Sequence, residues 1–140
     1  MQQSEVNKNA EEILNNNKVG TLATVKNDKP FSRYMTFFND SFTLYSATNN
    51  ETHKVDDLNK NNNVHIIIGY NHEGLTDSYL EIEGKAEIID SIDVKQKLWN
   101  EDLEPWFDGV DDPNLSILKV KPNKIRLMNN KTNEPQLIEF

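Results

Sequence analysis

The sequence predicts a mainly-β (α+β) domain, a six-stranded antiparallel β-barrel with peripheral helices, and three observations carry that reading. Six segments alternate apolar and polar residues with the period of a strand, at 19–26, 31–38, 42–48, 64–70, 79–89 and 115–127, so that successive side chains face opposite sides of a sheet. The connections between the first three are too short for a crossover, which makes those strands antiparallel neighbours. The 140 residues form one domain over 1–140, enough to bury roughly two-thirds of the unfolded surface, and closing the sheet removes edges that a fold of this size could not otherwise protect.

The elements follow in order. Val6, Ala10, Ile13 and Leu14 recur at helical spacing, so the first 17 residues carry an amphipathic helix, about 4–15, laid on the core. Asn27-Asp28-Lys29-Pro30 and Asn39-Asp40-Ser41 are turn sequences between strands. Thr52 is placed to N-cap a helix over 52–60, and a further helix spans 91–100. Pro105-Trp106-Phe107-Asp108-Gly109 then reads as a turn-rich aromatic loop, and Asp111-Asp112-Pro113 as a turn. Trp99 is expected to fill core, whereas Trp106, bracketed by Pro105 and Gly109, belongs to a loop of the kind that meets ligands or partners. Lys121-Pro122-Asn123 predicts one more turn inside the last run.

Composition excludes several functions. A net charge of −8 leaves no basic stripe for nucleic acid or an anionic membrane. The absence of cysteine removes disulfides, thiolate nucleophiles and Cys-ligated metal, so redox chemistry would have to be borrowed from a cofactor. No signal peptide opens the chain and no apolar run approaches the ~20 residues of a membrane span, so the cytoplasm is the expected location. Glycine-rich phosphate loops and nucleophile elbows are missing. His53, His65 and His72 lack metal-ligand spacing, and no metal site is predicted.

The most informative stretch is FSRYMTFFNDSFTLYSATNNETHK, residues 31–54. Period two puts Arg33 on one face with Phe31, Met35 and Phe37, and puts Leu44, Ser46 and Thr48 on one face of the next strand. Lys54 falls just inside the helix start, where free backbone N–H groups attract anions. Two readings stand on the residues alone. In one, Arg33 and Lys54 converge on a phosphate; in the other, Arg33 pairs with one of the many carboxylates and Lys54 is solvated. Because 13 of the 15 cations are lysine, the rare arginine fork leans toward a geometric role.

The order SRYMTFF, LYSAT, THKVDDL and VHIIIGY (32–70), followed by LW, PWFDG and DDP (98–113), resembles the pyridoxamine 5′-phosphate oxidase-like flavin-binding split barrels, specifically their bacterial general-stress-protein branch. The resemblance runs from about 19 to 122. It implies a six-stranded split barrel that forms a homodimer and holds FMN, or FAD, at the protomer interface. By the same resemblance Arg33 and Lys54 grip the flavin phosphate, Ser46 and Thr48 lie near it, and Thr52 and His53 stand where the oxidases have a serine and an arginine. Met35 and Thr36 run beside the isoalloxazine ring, and Trp106 covers it. The resemblance further implies a flavin-dependent oxidoreductase or flavin reductase using NAD(P)H, and not a true pyridoxamine 5′-phosphate oxidase, because the segment for pyridoxal phosphate contacts is lacking. A flavin carrier without efficient turnover is the alternative; a third reading is an acidic interaction domain presenting residues 108–112. No catalytic side chain stands out.

Overall fold

The computed structural model describes residues 2–49, 58–72, 77–130 and 134–140. Helix α1 (Gln3–Asn16) precedes strands β1 (Val19–Lys26), β2 (Lys29–Thr36), β3 (Phe38–Asp40), β4 (Thr43–Asn49), β5 (Asn63–Ile68) and β6 (Tyr79–Ile89). Helix α2 (Ile92–Leu98), a 3-10 turn (Glu101–Leu103), β7 (Leu115–Met128) and β8 (Gln136–Leu137) complete the described elements. All strands join one antiparallel sheet in the order β2-β1-β5-β6-β7-β4-β3, with β8 beside β7, curled into a half-barrel. Its interior is the alternating face that the sequence predicts: Leu22 of β1, Ile66 of β5, Ile82 of β6, and Leu118 and Ile125 of β7 are fully buried.

Three details differ from the sequence reading. The run 31–38 is two strands, because the chain breaks at Phe37, whose ring is buried and whose N–H donates to Lys18 O at 2.6 Å. Lys121-Pro122-Asn123 is not a turn. Instead β7 runs straight through it, and the register shifts from Glu83 opposite Lys124 to Gly84 opposite Pro122, leaving Asn123 as the extra residue of a bulge that absorbs a proline unable to donate to the ladder. The short β8 was unpredicted; its dipeptide pairs Leu137 with Arg126, too brief for a periodic signal.

Helix α1 buries Val6, Ala10 and Leu14, as its spacing requires. It docks so closely that a Cβ on Gly69 would lie 2.4 Å from Ile13 Cγ2, and Gly69 also holds a left-handed φ of +107°, so only glycine fits there. The tail is tied to the same helix: Gln3 Nε2 donates to Leu137 O at 2.9 Å and Asn7 Nδ2 to Glu139 O at 2.7 Å, while Ile138 is buried in the core. A smaller cluster of Phe107, Leu115 and Ile117 packs against Val94, Leu98 and a half-buried Trp99, which accords with the core role expected of that tryptophan. Among the described residues no helix is long and apolar enough to cross a membrane.

Candidate functional site

β2 and β4 come from opposite ends of the sheet path and meet across its open side, where Ser46 Oγ donates to Thr36 O at 2.7 Å. Beside that contact lies a cavity of about 400 Å³, within the range of small-molecule sites. Tyr34, Met35 and Thr36 of β2 form one wall, and Ser46, Ala47, Thr48 and Asn49 of β4 the facing one. Asp102, Leu103, Trp106 and Phe107 close the end. The cavity therefore gathers Met35, Thr36, Ser46, Thr48 and Trp106 from the sequence-selected residues.

The polar character of the cavity is specific. Thr48 is 3 % exposed, and its Oγ1 is the buried side-chain polar atom that lacks a partner among the described residues. A buried hydroxyl with no hydrogen bond costs roughly 1–3 kcal/mol, and this one belongs to a residue on the cavity wall. Ser46, by contrast, is already satisfied by Thr36. Trp106 is 76 % exposed on the loop predicted for it, so its ring rims the cavity instead of filling core. Asp102 is the charged side chain among the described lining residues, and no cation joins it there.

Arg33 takes a different place. It shares the inward face with Met35, as predicted, but its guanidinium donates to the buried Thr24 Oγ1 at 3.0 Å and does not line this cavity. The other arginine, Arg126, is paired with Glu83 across β6 and β7. Thr52, His53 and Lys54 lie outside the described residues, a few positions beyond the end of β4. Tyr34, Asn49 and Asp102 were missed by sequence reasoning. Tyr34 belongs to the opposite alternation from Arg33, and its 81 % exposure is a tertiary fact that periodicity alone does not supply.

The closing segment is internally tied. Trp106 and Phe107 N–H both donate to Leu103 O at 3.0 Å, and the Asp112 carboxylate accepts from Asp108 N–H and Asn114 N–H, each at 2.9 Å. Those backbone bonds, helped by the positive charge of Lys95, hold the Asp112 carboxyl below the usual aspartate range. A lowered folded-state pKa means that this contribution is complete above the unfolded value near ~3.9 and is lost as pH falls through the folded one. Amide exchange at Asp108 and Asn114 is therefore expected to accelerate only below about pH 4, once intrinsic pH effects are removed; constant protection down to pH 2 would refute the tie.

Comparison with known proteins adds the decisive observation: residues 6–129 match the family described as pyridoxamine 5′-phosphate oxidase. The chain belongs to that family. Within the pyridoxamine 5′-phosphate oxidase family it is 49 % identical to General stress protein 26 of Bacillus subtilis (strain 168) over 100 % of both chains. The crystal structure of General Stress Protein 26 from Bacillus anthracis str. Sterne superposes with a TM-score of 0.86 at 32 % identity, covering 97 % of this chain and 99 % of that one. A putative pyridoxamine 5′-phosphate oxidase from Listeria innocua gives 0.79 at 32 % identity, covering 89 % and 98 %. The general-stress-protein affinity and the split-barrel fold expected from residues 32–113 are thus both met.

Proposed function

We propose that the cavity between β2 and β4 holds the ring of FMN, and that the protein is a flavin-dependent oxidoreductase or flavin reductase supplied by NAD(P)H. The observation that carries this is the unpartnered Thr48 hydroxyl on the wall of a cavity rimmed by an exposed tryptophan. The fit is good for a ring. The described lining offers hydroxyls, an amide, backbone groups and apolar surface, with no cation to attract a phosphate. Phosphate binding falls to Lys54, Thr52 and His53, just past β4 in the chain, with Arg33 on the adjoining face of β2.

When bound, flavin supplies the hydride and electron transfer that this cysteine-free chain cannot perform itself. The chain's own residues bind and shield: Thr48 contributes one hydrogen bond, Leu103 and Phe107 exclude water, and Trp106 presents a planar aromatic face. Homodimerisation is part of the same proposal. Register sets Tyr34 beside Thr21 and Thr21 beside Ile67 on the outer face, and Val19, Tyr34 and Ile67 there are 59, 81 and 38 % exposed. A second copy seated on that face would cover them, and because Tyr34 also lines the cavity, it would bring the site to the interface.

The visible absorption spectrum after incubation with FMN tests the cofactor, and light scattering tests the dimer. Oxidation of NADH or NADPH by the loaded protein separates a reductase from the alternative, a flavin carrier. Thr48→Val gives a finer check, because its two effects have opposite signs. Removing an unsatisfied buried hydroxyl should raise the stability of the free protein, while FMN affinity should fall by about 0.5–1.5 kcal/mol. Unchanged affinity would remove Thr48 from the site.

A further inference from the structure

Among the described residues the two most exposed large hydrophobic side chains are Tyr34 at 81 % and Trp106 at 76 %, and both line the same cavity. Tyr34 comes from β2 and Trp106 from the segment between α2 and β7, so the fold brings two open rings to one place. The ring-to-ring contacts of the described residues lie elsewhere, at Phe42–Phe140 and around Tyr70. Asp102 lines the cavity from the same segment as Trp106. Its carboxylate joins neither of the salt bridges of the described residues, which are Lys95–Asp90 and Arg126–Glu83. The backbone beneath both is tied, since Asp102 N–H donates to Asn100 Oδ1 at 2.8 Å and Trp106 N–H to Leu103 O at 3.0 Å. We propose that Tyr34, Trp106 and Asp102 form a recognition site for a flat organic cation at the rim of the cavity.

The residue types select the guest. Indole and phenol rings carry negative faces that attract a cation placed over them, indole most strongly. An exposed carboxylate by itself holds a cation only weakly, because water screens it; next to two ring faces it adds charge where the rings add contact. A hard metal ion asks for six or more oxygens, which one carboxylate does not supply. A planar cation with its charge spread over a ring is less tightly hydrated and covers both rings and carboxylate at once. An anion, by contrast, meets only Asp102 among the charged side chains of the described lining, and is repelled.

The inference deepens the flavin reading by naming the charge class of the molecule that shares the cavity with the ring, and it rests on that reading for that role alone. Binding by the flavin-free chain tests it directly. Three probes of one ring size differ in charge: nicotinamide methylated at its ring nitrogen (a cation), nicotinamide (neutral) and nicotinate (an anion). Ligand-observed NMR titration should show the cation binding about 10-fold tighter than nicotinamide, with nicotinate weakest. Asp102→Asn should abolish the preference for the cation over the neutral ring, and Trp106→Leu should weaken the cation about 5-fold. Both positions are exposed, so melting temperatures should stay within a few degrees of wild type. Because the whole chain carries a net charge of −8, Asp93→Asn is the control: it removes the same charge from an exposed position on α2 and should leave the preference intact. Equal binding of cation and neutral ring by wild type, or equal losses in Asp93→Asn and Asp102→Asn, would overturn the site. Cation preference with no FMN uptake would sink the flavin reading and leave this site standing; FMN uptake with no cation preference would do the reverse.

Discussion

Phe37→Ala is expected to cost about 3–5 kcal/mol of stability, the range for removing a buried phenylalanine and leaving a cavity. Phe37 is 1 % exposed and is among the largest fully buried side chains. It belongs to the principal core cluster with Leu22, Leu44 and Ile66, and it interrupts the chain between β2 and β3, so its ring anchors the point where the open side of the sheet is crossed. For a domain whose total stability is of order 5–15 kcal/mol, that loss is a large share. Urea titration should show a lower midpoint with little change in slope. The same substitution should impair flavin uptake, since Thr36 and Phe38 on either side both line the cavity. Phe31→Ala is the control. That ring is 44 % exposed, and its removal should cost no more than about 1 kcal/mol. Equal losses from the two would show that Phe37 is not anchoring the core.

Lys54→Ala is expected to weaken FMN by about 1.5–3 kcal/mol, the scale of a charge-assisted hydrogen bond, or about 10- to 150-fold in dissociation constant. Riboflavin, which has no phosphate, should bind both forms alike. The contrast matters because the described cavity lining carries Asp102 and no cation, so a dianion there needs charge from beyond it. Arg33→Ala divides two roles that the hydrogen bond to Thr24 makes distinct. A loss confined to FMN assigns the fork to the phosphate; an equal loss for riboflavin, or a loss of stability alone, assigns it to the barrel wall. Isothermal titration of both ligands against the three proteins decides the matter, and the proposed phosphate site fails if neither substitution distinguishes FMN from riboflavin.

Much of this was legible in the residues because burial in a sheet writes itself at period two. Leu44, Ser46 and Thr48 share a buried face of β4, and Arg33 and Met35 are the partly buried positions of β2, as alternation demanded. Val6, Ala10 and Leu14 likewise face inward at helical spacing. Errors arose where a local signal competed with a long-range pairing. Pro122 looks like a turn in isolation, yet the partner strand β6 holds β7 extended through it and confines the irregularity to one bulged residue. The partner of Arg33 was equally invisible, since Thr24 reaches it only through the β1–β2 register. Tyr34 and Asp102 join the cavity only because elements distant in sequence are folded over the same gap, and no window of neighbouring residues encodes that.

The hydrogen bond between Ser46 and Thr36 has a consequence beyond local geometry. β2 and β4 are separated along the sheet by β1, β5, β6 and β7, so the width of the gap between them is the accumulated coiling of every intervening strand pair. Each pair adds its own twist. A substitution on β5 or β6 that slightly flattens the ribbon displaces the two rims relative to each other without touching either. The opening thus resembles the jaws of a spring calliper, whose separation answers to positions that line neither jaw.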